Sequence, residues 1–597
     1  MTQIRRSQFI TTYGPGAILE GPHGPRMILS LEHSRLFDNH KPEDFEITDR
    51  RLSHALLEGA GIVRIPSNAE LGRPEFDGVY QTHPFPSWAL CPRHAVLYRG
   101  KTCPLCFQET GQEETSWDKA NRQAVRFVRA CPAGHLDDVD WVGMVHQKGS
   151  HYCRPSYLKW VGSGSLRNID IVCPKCGASI NLGLAYSREW TCSGRFPEKE
   201  STYTPYRPGD CQEKARIIQR GASNLRIAEI VTSLTIPESD TQLHRYLEMT
   251  PVFYWLRGFI GARQGSRPSK DEFVAGLREL VAEKRLAETI VNEIDRYDEA
   301  AILKAIADVL QDLPDDPFLL RVQEFTALQE AATKGRTISP TSPGYPPQFE
   351  VIQKDVRQVV TPSGRRLRVT PINRLRVVMV QKGYRRAPAG NVTQSSLVPV
   401  SFDAGGRTWY PGVELFGEGI FIDLWPGESI TLDGPVSATW QEAWKKPEAY
   451  SPVPLIGFHR HQFHPLFVWW HTLSHRLINA LAVDSGYSSA AIRERVYIDV
   501  DENTGRARGG VLLYTAQPGG DGTLGGLIAL VPEFERVLQR ALYNLDACSN
   551  DPLCGEEKFG PGKYNGAACY ACALVSETSC EHRNMSLDRN LLLETTL

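Results

Sequence analysis

The chain has 597 residues, 41% of them hydrophobic and 23% charged. That is enough apolar material for large cores and excludes wholesale disorder, and at about 100–200 residues per domain it predicts roughly three to five domains. A formal net charge of −2 excludes a basic nucleic-acid coat and an acidic tail protein, so any nucleic-acid contact must come from a local patch. No run approaches the ~18–20 consecutive apolar residues of a membrane span. The opening Met1–Phe9 also lacks the apolar stretch of a secretory signal, so a cytoplasmic protein without membrane contact is expected.

In chain order, residues 1–90 are punctuated by glycine and proline, as in Tyr13-Gly-Pro-Gly16, and predict loops and short elements. Residues 91–215 form a cysteine-rich region with zinc-ribbon-like modules. Residues 240–336 predict a helical subdomain: Glu272–Glu283 and Leu286–Leu310 carry apolar residues at helical spacing, and Ser269 with Glu272 fits a capping box. Residues 348–460 read as β-rich, with strand patterns at Arg366–Val369, Arg374–Val380 and Gly419–Leu424. Residues 465–597 predict an α/β C-terminal domain: a helix Leu466–Ala482, a strand Val511–Thr515, a Gly-rich turn Gly519–Gly526 and a helix Leu527–Leu545. The expected fold class is therefore α+β and multidomain.

The 14 cysteines divide into nine between Cys91 and Cys211 and five between Cys548 and Cys580, with none in the 336 residues between. In a reducing compartment such clusters point to metal ligands rather than disulfides. Cys173 and Cys176 form a C-x2-C knuckle whose turn lets two thiolates bind one tetrahedral Zn²⁺. Cys192 and Cys211 are the expected partners that return to close it, with buried unligated thiols as the alternative. Cys91 and His94, then Cys103 and Cys106, predict a second site; a surface role for His94 is the alternative. Cys131, His135, His146 and Cys153 are a looser third set, with plain structural roles as the alternative. His151 competes with them, and Cys131 or His135 is an alternative ligand of a neighbouring site. Cys548, Cys554, Cys569 and Cys572 predict a C-terminal zinc site with Cys580 left over, able to exchange with Cys548 or Cys554.

None of these sites reads as catalytic, because H-E-x-x-H and the deaminase signature are absent. His471 and His475 lie at i, i+4 with no evident third ligand, so packing or ordinary polar contacts are the expectation. The Gly519–Gly526 turn offers backbone N–H groups, but there is no Walker lysine motif, so no ATPase site is expected. Residues 351–390 carry ten Lys/Arg and one acid, Asp355. Arg366, Arg368, Arg374 and Arg376 are candidate nucleic-acid-binding residues if two strands with a turn near Pro371 pair into one charged face. A solvated or salt-bridged sheet face is the alternative.

Several segments carry a resemblance. The helix with His475, Ser485-Gly-Tyr487, Leu512–Ala516, the Gly519–Gly526 turn and Cys548…Cys554…Cys569-x2-Cys572 look like the zinc-binding C-terminal domain of MrfA-type helicases. Together with Tyr13–Ala17, Cys131–Asp138 and Cys548–Cys554, they make the whole chain resemble the DrmB family, the helicase-partner subunits of the DISARM anti-phage system. Where the family pattern has a second cysteine in the first knuckle, this chain has His94. The resemblance implies a non-catalytic defence subunit that partners a DrmA-like helicase and works alongside DNA methylation. DNA would be met directly or through the helicase. Two other functions compete. One is a metal-dependent nuclease or other phosphodiesterase built on His135, Asp137, Asp138 and Asp140; the other is a pure protein-interaction scaffold.

Overall fold

The computed structural model describes residues 4–595 except 22–23, 37–38, 75–77, 113–122, 148–152, 201–204, 235–241, 264, 311–315, 339–346, 391–393, 451–459, 502–505 and 518–524. His151 and most of the Gly519–Gly526 turn therefore lie outside the described residues. The chain divides into two compact units, each assembled from separated stretches. The first comprises Met1–Ile47, Ala60–Val231 and Met379–Val413; the second comprises Thr48–Gly59, Thr232–Val378 and Glu414–Leu597.

The first unit is built on small antiparallel sheets. A six-stranded sheet runs in the order Ser179–Asn181, Asp170–Val172, Tyr157–Val161, Val96–Arg99, Trp88–Cys91, Gln123–Ala124. A four-stranded sheet runs Glu189–Thr191, Lys214–Gln219, Phe127–Ala130, Leu136–Asp138. Leu97, Leu158, Ile171, Leu182 and Trp141 are buried together and give these short strands a shared apolar floor. Short strands bury little surface, so the turns between them need another fastening, and the cysteines sit in those turns.

In the second unit, helices Gln242–Glu248, Thr250–Ala262, Lys270–Ala282, Glu288–Ile294 and Glu299–Leu310 pack through Leu247, Leu256, Phe273, Leu277, Ile294, Ile302 and Ile306. The expected helix Leu286–Leu310 is two helices, broken over the turn Asp295–Asp298. The Ser269–Glu272 capping box is present: the Ser269 amide donates to the Glu272 carboxylate at 3.0 Å.

The strand Arg493–Val500 pairs antiparallel with Ala507–Gln517, and the latter pairs with Phe416–Asp423. Helix Pro465–Asp484 lies on this sheet with Trp469, Trp470, Leu473, Leu477 and Leu481 in one core. Gly509 permits the approach, since a β-carbon there would lie 2.8 Å from the Trp470 ring. The expected helix Leu527–Leu545 is a 3₁₀ turn Ile528–Glu533 containing Pro532, followed by an α-helix Phe534–Leu542. The proline has no N–H for the helical ladder.

One expectation is overturned here. Arg366–Arg385 is a single 20-residue strand, with no turn at Pro371. Arg368 is buried and forks onto Asp423 at 2.8 and 2.6 Å; Arg366 pairs with Glu428 at 2.6 Å. Arg376 is buried against Glu414 at 2.8 Å, and the Arg374 guanidinium lies 4.8 Å from the centre of the Phe416 ring. Arg368 and Arg376 are therefore neutralised in the interior of the second unit, while the half-exposed Arg366 is paired with Glu428 and Arg374 is stacked on Phe416. A buried guanidinium without a counter-charge costs several kcal/mol, which is why carboxylates accompany Arg368 and Arg376.

Candidate metal centres

Four sets of cysteine and histidine side chains converge, each within one unit, with the ligand atoms of each set within 4.8 Å of one another. A tetrahedral zinc with Zn–S bonds of about 2.3 Å places its sulfurs about 3.8 Å apart, which provides the geometric test.

Cys91, His94, Cys103 and Cys106 form the first set, as expected from the sequence. Cys91 closes the strand Trp88–Cys91, and Cys103 precedes the helix Pro104–Thr110, whose first turn holds Cys106. The Cys91 and Cys106 sulfurs are 3.7 Å apart, and His94 Nδ1 lies 3.6, 3.8 and 3.3 Å from Cys91, Cys103 and Cys106. His94 Nε2 is 3.1 Å from Glu109, whose carboxylate holds the imidazole pKa above its ordinary value. A carboxylate on the far ring nitrogen is the usual orienting partner of a zinc-bound histidine.

The next two sets correct the grouping read from spacing. Cys173 and Cys176 do not close with Cys192 and Cys211. They meet His146 and Cys153, while Cys192 and Cys211 meet Cys131 and His135. The sheet orders explain the exchange. Cys173 and Cys176 occupy the turn between Asp170–Val172 and Ser179–Asn181, and the next strand in that sheet, Tyr157–Val161, begins just after Cys153. The Cys153 sulfur is 3.3 Å from Cys173 and 3.5 Å from Cys176, and His146 Nε2 is 3.1 Å from Cys153 and 3.3 Å from Cys176. His146 Nδ1 donates to the Val142 carbonyl at 2.7 Å, which turns its Nε2 lone pair toward the sulfurs.

In the four-stranded sheet, the turn Cys131–His135 joins Phe127–Ala130 to Leu136–Asp138. Cys192 and Cys211 flank the connection between Glu189–Thr191 and Lys214–Gln219. Pairing of Phe127–Ala130 with Lys214–Gln219 puts both turns at one end. Cys131 Sγ lies 3.5 Å from Cys192 and 3.3 Å from His135 Nδ1. Hydrogen bonding with Cys131 brings the pKa of the Cys192 thiol down to about 4, which favours its thiolate form. Gly134 makes the turn possible at φ +88°, where a β-carbon would also strike Val398.

At the C-terminus, Cys548, Cys554, Cys569 and Cys572 converge as expected. Separations are 3.5 Å for Cys548 to Cys569, 3.6 Å for Cys554 to Cys572 and 3.8 Å for Cys569 to Cys572. Backbone N–H groups of Asn550 and Cys569 donate to the Cys548 and Cys572 sulfurs at 3.5 and 3.4 Å, as thiolate ligands favour. Cys580, left over in the sequence, stands apart from this centre, 3.2 Å from His471.

The carboxylates of the nuclease alternative have other employment. Asp137 pairs with Arg195 at 2.6 Å, and Asp138 accepts from the Ser87 amide at 2.8 Å and its hydroxyl at 2.7 Å. Asp140 caps the helix Trp141–His146 through the Gly143 amide at 3.0 Å. His135 belongs to the cysteine set. No helix among the described residues is long and apolar enough to cross a membrane.

Comparison with known proteins adds three findings. Residues 5–227 match a domain of unknown function, DUF8724, which spans the three metal sets of the first unit. Residues 473–573 match the MrfA Zn-binding domain and contain the four C-terminal cysteines. The chain is 26% identical over 529 residues to the DISARM protein DrmB of Bacillus paralicheniformis, covering 84% of this chain and 83% of that protein. The zinc-domain match and the sulfur–nitrogen donor sets agree on zinc as the metal these centres take.

Proposed function

We propose that this chain is the DrmB-type subunit of a cytoplasmic DISARM anti-phage system: a non-catalytic, zinc-stapled protein that binds a DrmA-like helicase and helps it engage DNA. The observation that carries this reading is similarity to the DISARM protein along most of both chains. The metal sets support a scaffold role. Each has four protein donors, which leaves no open position for substrate or a metal-bound nucleophile. Commitment of Asp137, Asp138 and Asp140 to structural hydrogen bonds counts against the phosphodiesterase alternative.

DNA engagement is assigned mainly through the helicase, because Arg366, Arg368 and Arg376 already hold carboxylate partners. That same neutralisation favours a second reading, a scaffold that contacts no DNA at all. Co-expression with a DrmA-like helicase tests both. The proposal expects a stable complex whose DNA affinity exceeds that of the helicase alone and falls with salt. A complex with unchanged DNA affinity establishes the pure scaffold, and failure to associate rejects both readings. Metal-dependent nicking of DNA by the purified chain would instead restore the enzyme alternative.

A further inference from the structure

A buried polar cluster in the second unit lies outside the four-cysteine centre. Helix Pro465–Asp484 contributes His471 and His475, strand Arg493–Val500 contributes Glu494, and the segment after the zinc knuckle contributes Cys580. His471, His475 and Glu494 are 0% exposed and Cys580 is 5% exposed. Their ligand atoms lie within 4.8 Å of one another. Glu494 Oε1 is 2.8 Å from His471 Nε2 and 3.0 Å from His475 Nε2, and Cys580 Sγ is 3.2 Å from His471 Nε2.

The hydrogen bonds around the cluster fix which atoms face inward. His471 Nδ1 is 3.2 Å from the Ser586 carbonyl, and His475 Nδ1 is 2.7 Å from the Ala573 carbonyl. A carbonyl only accepts, so both Nδ1 atoms carry hydrogen and each neutral imidazole presents a bare Nε2 lone pair. Both lone pairs then point at the same carboxylate oxygen, acceptor against acceptor. That arrangement is unfavourable in a dry interior unless something positive lies between. Glu494 is held from its other side by the Ser474 hydroxyl, which donates to Oε2. Cys580 Sγ accepts the backbone N–H groups of His582 and Asn584, each at 3.3 Å. The same device, Nδ1 on a carbonyl and Nε2 toward sulfur, positions His146 in the first unit.

We infer that His471, His475, Glu494 and Cys580 form a fifth metal site, taking a divalent cation of zinc's type with two imidazoles, one carboxylate and one thiolate. The charges close: a dication balances Glu494 and a Cys580 thiolate, while the imidazoles stay neutral. Nitrogen, oxygen and sulfur donors together suit zinc better than magnesium or calcium, which take oxygen. With four protein donors and no solvent access the site is structural. It fastens the segment after Cys572 onto the buried helix and the sheet, where the Glu494 amide also donates to the Ser579 carbonyl at 3.0 Å. The matched zinc-binding domain ends at residue 573, before Cys580. The competing occupant is a pair of protons, making both histidines imidazolium.

The test uses the full chain, purified from zinc-supplemented cells. Elemental analysis should give five zinc equivalents, and anomalous diffraction at the zinc edge should show a peak among these four side chains. Two single variants, H475Q and C580A, should each retain four equivalents with unchanged helix content. Four equivalents in the unmodified protein, with no anomalous peak at this position, would establish the proton pair and overturn the site. A folded H475Q or C580A protein that keeps all five would do the same. Because the anomalous map is read on the unmodified chain, the result stands even if both variants fail to fold.

Discussion

The sulfur of Cys192 lies 3.5 Å from that of Cys131, which is 61 positions earlier in the chain. Neither reaches the Cys173–Cys176 knuckle, which closes on His146 and Cys153. Interleaving of this kind ties four hairpin and loop segments of the first unit into two separate tetrads. Metal loss at one leaves the other complete.

That independence is measurable. Cys192→Ser and Cys173→Ser should each remove one zinc, and the double variant should remove two. A double variant that lost only one equivalent would return the four cysteines to a single site. Elemental analysis alongside a fold check by circular dichroism decides the matter.

Glu109 meets the far nitrogen of His94 through one carboxylate oxygen and Arg93 through the other, at 2.9 Å. Orienting carboxylates of this type are worth roughly 10–100-fold in metal affinity. Glu109→Gln should therefore weaken the first-knuckle zinc by that order in a chelator competition, while the other centres release metal unchanged. Equal release from every centre would show that Glu109 does not hold His94 in place.

The fork between Arg368 and Asp423 is buried, so its halves depend on each other. Asp423→Ala leaves an unpaired guanidinium and should cost about 3–5 kcal/mol in urea unfolding, whereas replacing both with apolar residues should cost much less. If Asp423→Ala is neutral, Arg368 has found water or another partner, and its availability to an outside anion reopens.

Stability should also depend on pH through His464. Its Nδ1 accepts the Leu466 amide at 3.1 Å as the cap of the helix carrying His471 and His475, and burial pushes its pKa down to about 4. The folded state thus prefers the neutral ring. Its contribution is whole above the ordinary histidine value and is lost as pH falls from about 6.5 toward about 4. Between pH 7 and 5.5 the loss is about 1 kcal/mol. An asparagine side chain in its place would cap without titrating, so the stability gap between the parent and His464→Asn should shrink over that interval. A gap that stays constant would mean that His464 does not set this dependence.

Much was legible in the chain itself because metal chemistry is written in local spacing. C-x2-C and C-x2-H bring their donors together within one turn, so Cys91 with His94, Cys173 with Cys176 and Cys569 with Cys572 could be paired from the chain alone. The Ser269 cap and the amphipathic helices behind it are likewise local patterns. Knuckle partnership is not local. Which two half-sites share a metal depends on which strands lie side by side, and the place of Cys192 follows only from Lys214–Gln219 lying beside Phe127–Ala130.

The arginines of strand Arg366–Arg385 show the same division. Their positive charge is visible in composition, but Asp423, Glu414 and Glu428 lie 38 to 62 positions away and neutralise them only once the sheet forms. For His471 and His475 one signal was present, an acidic Glu494 on the same strand parity as the buried Val496 and Ile498. Local spacing specified the knuckle pairs, because a tight turn enforces them, and left Cys131, His135, His146, Cys153 and Cys580 open as ligands. Which halves meet and which charges are neutralised depends on folding, because those contacts join segments that no short window of chain contains.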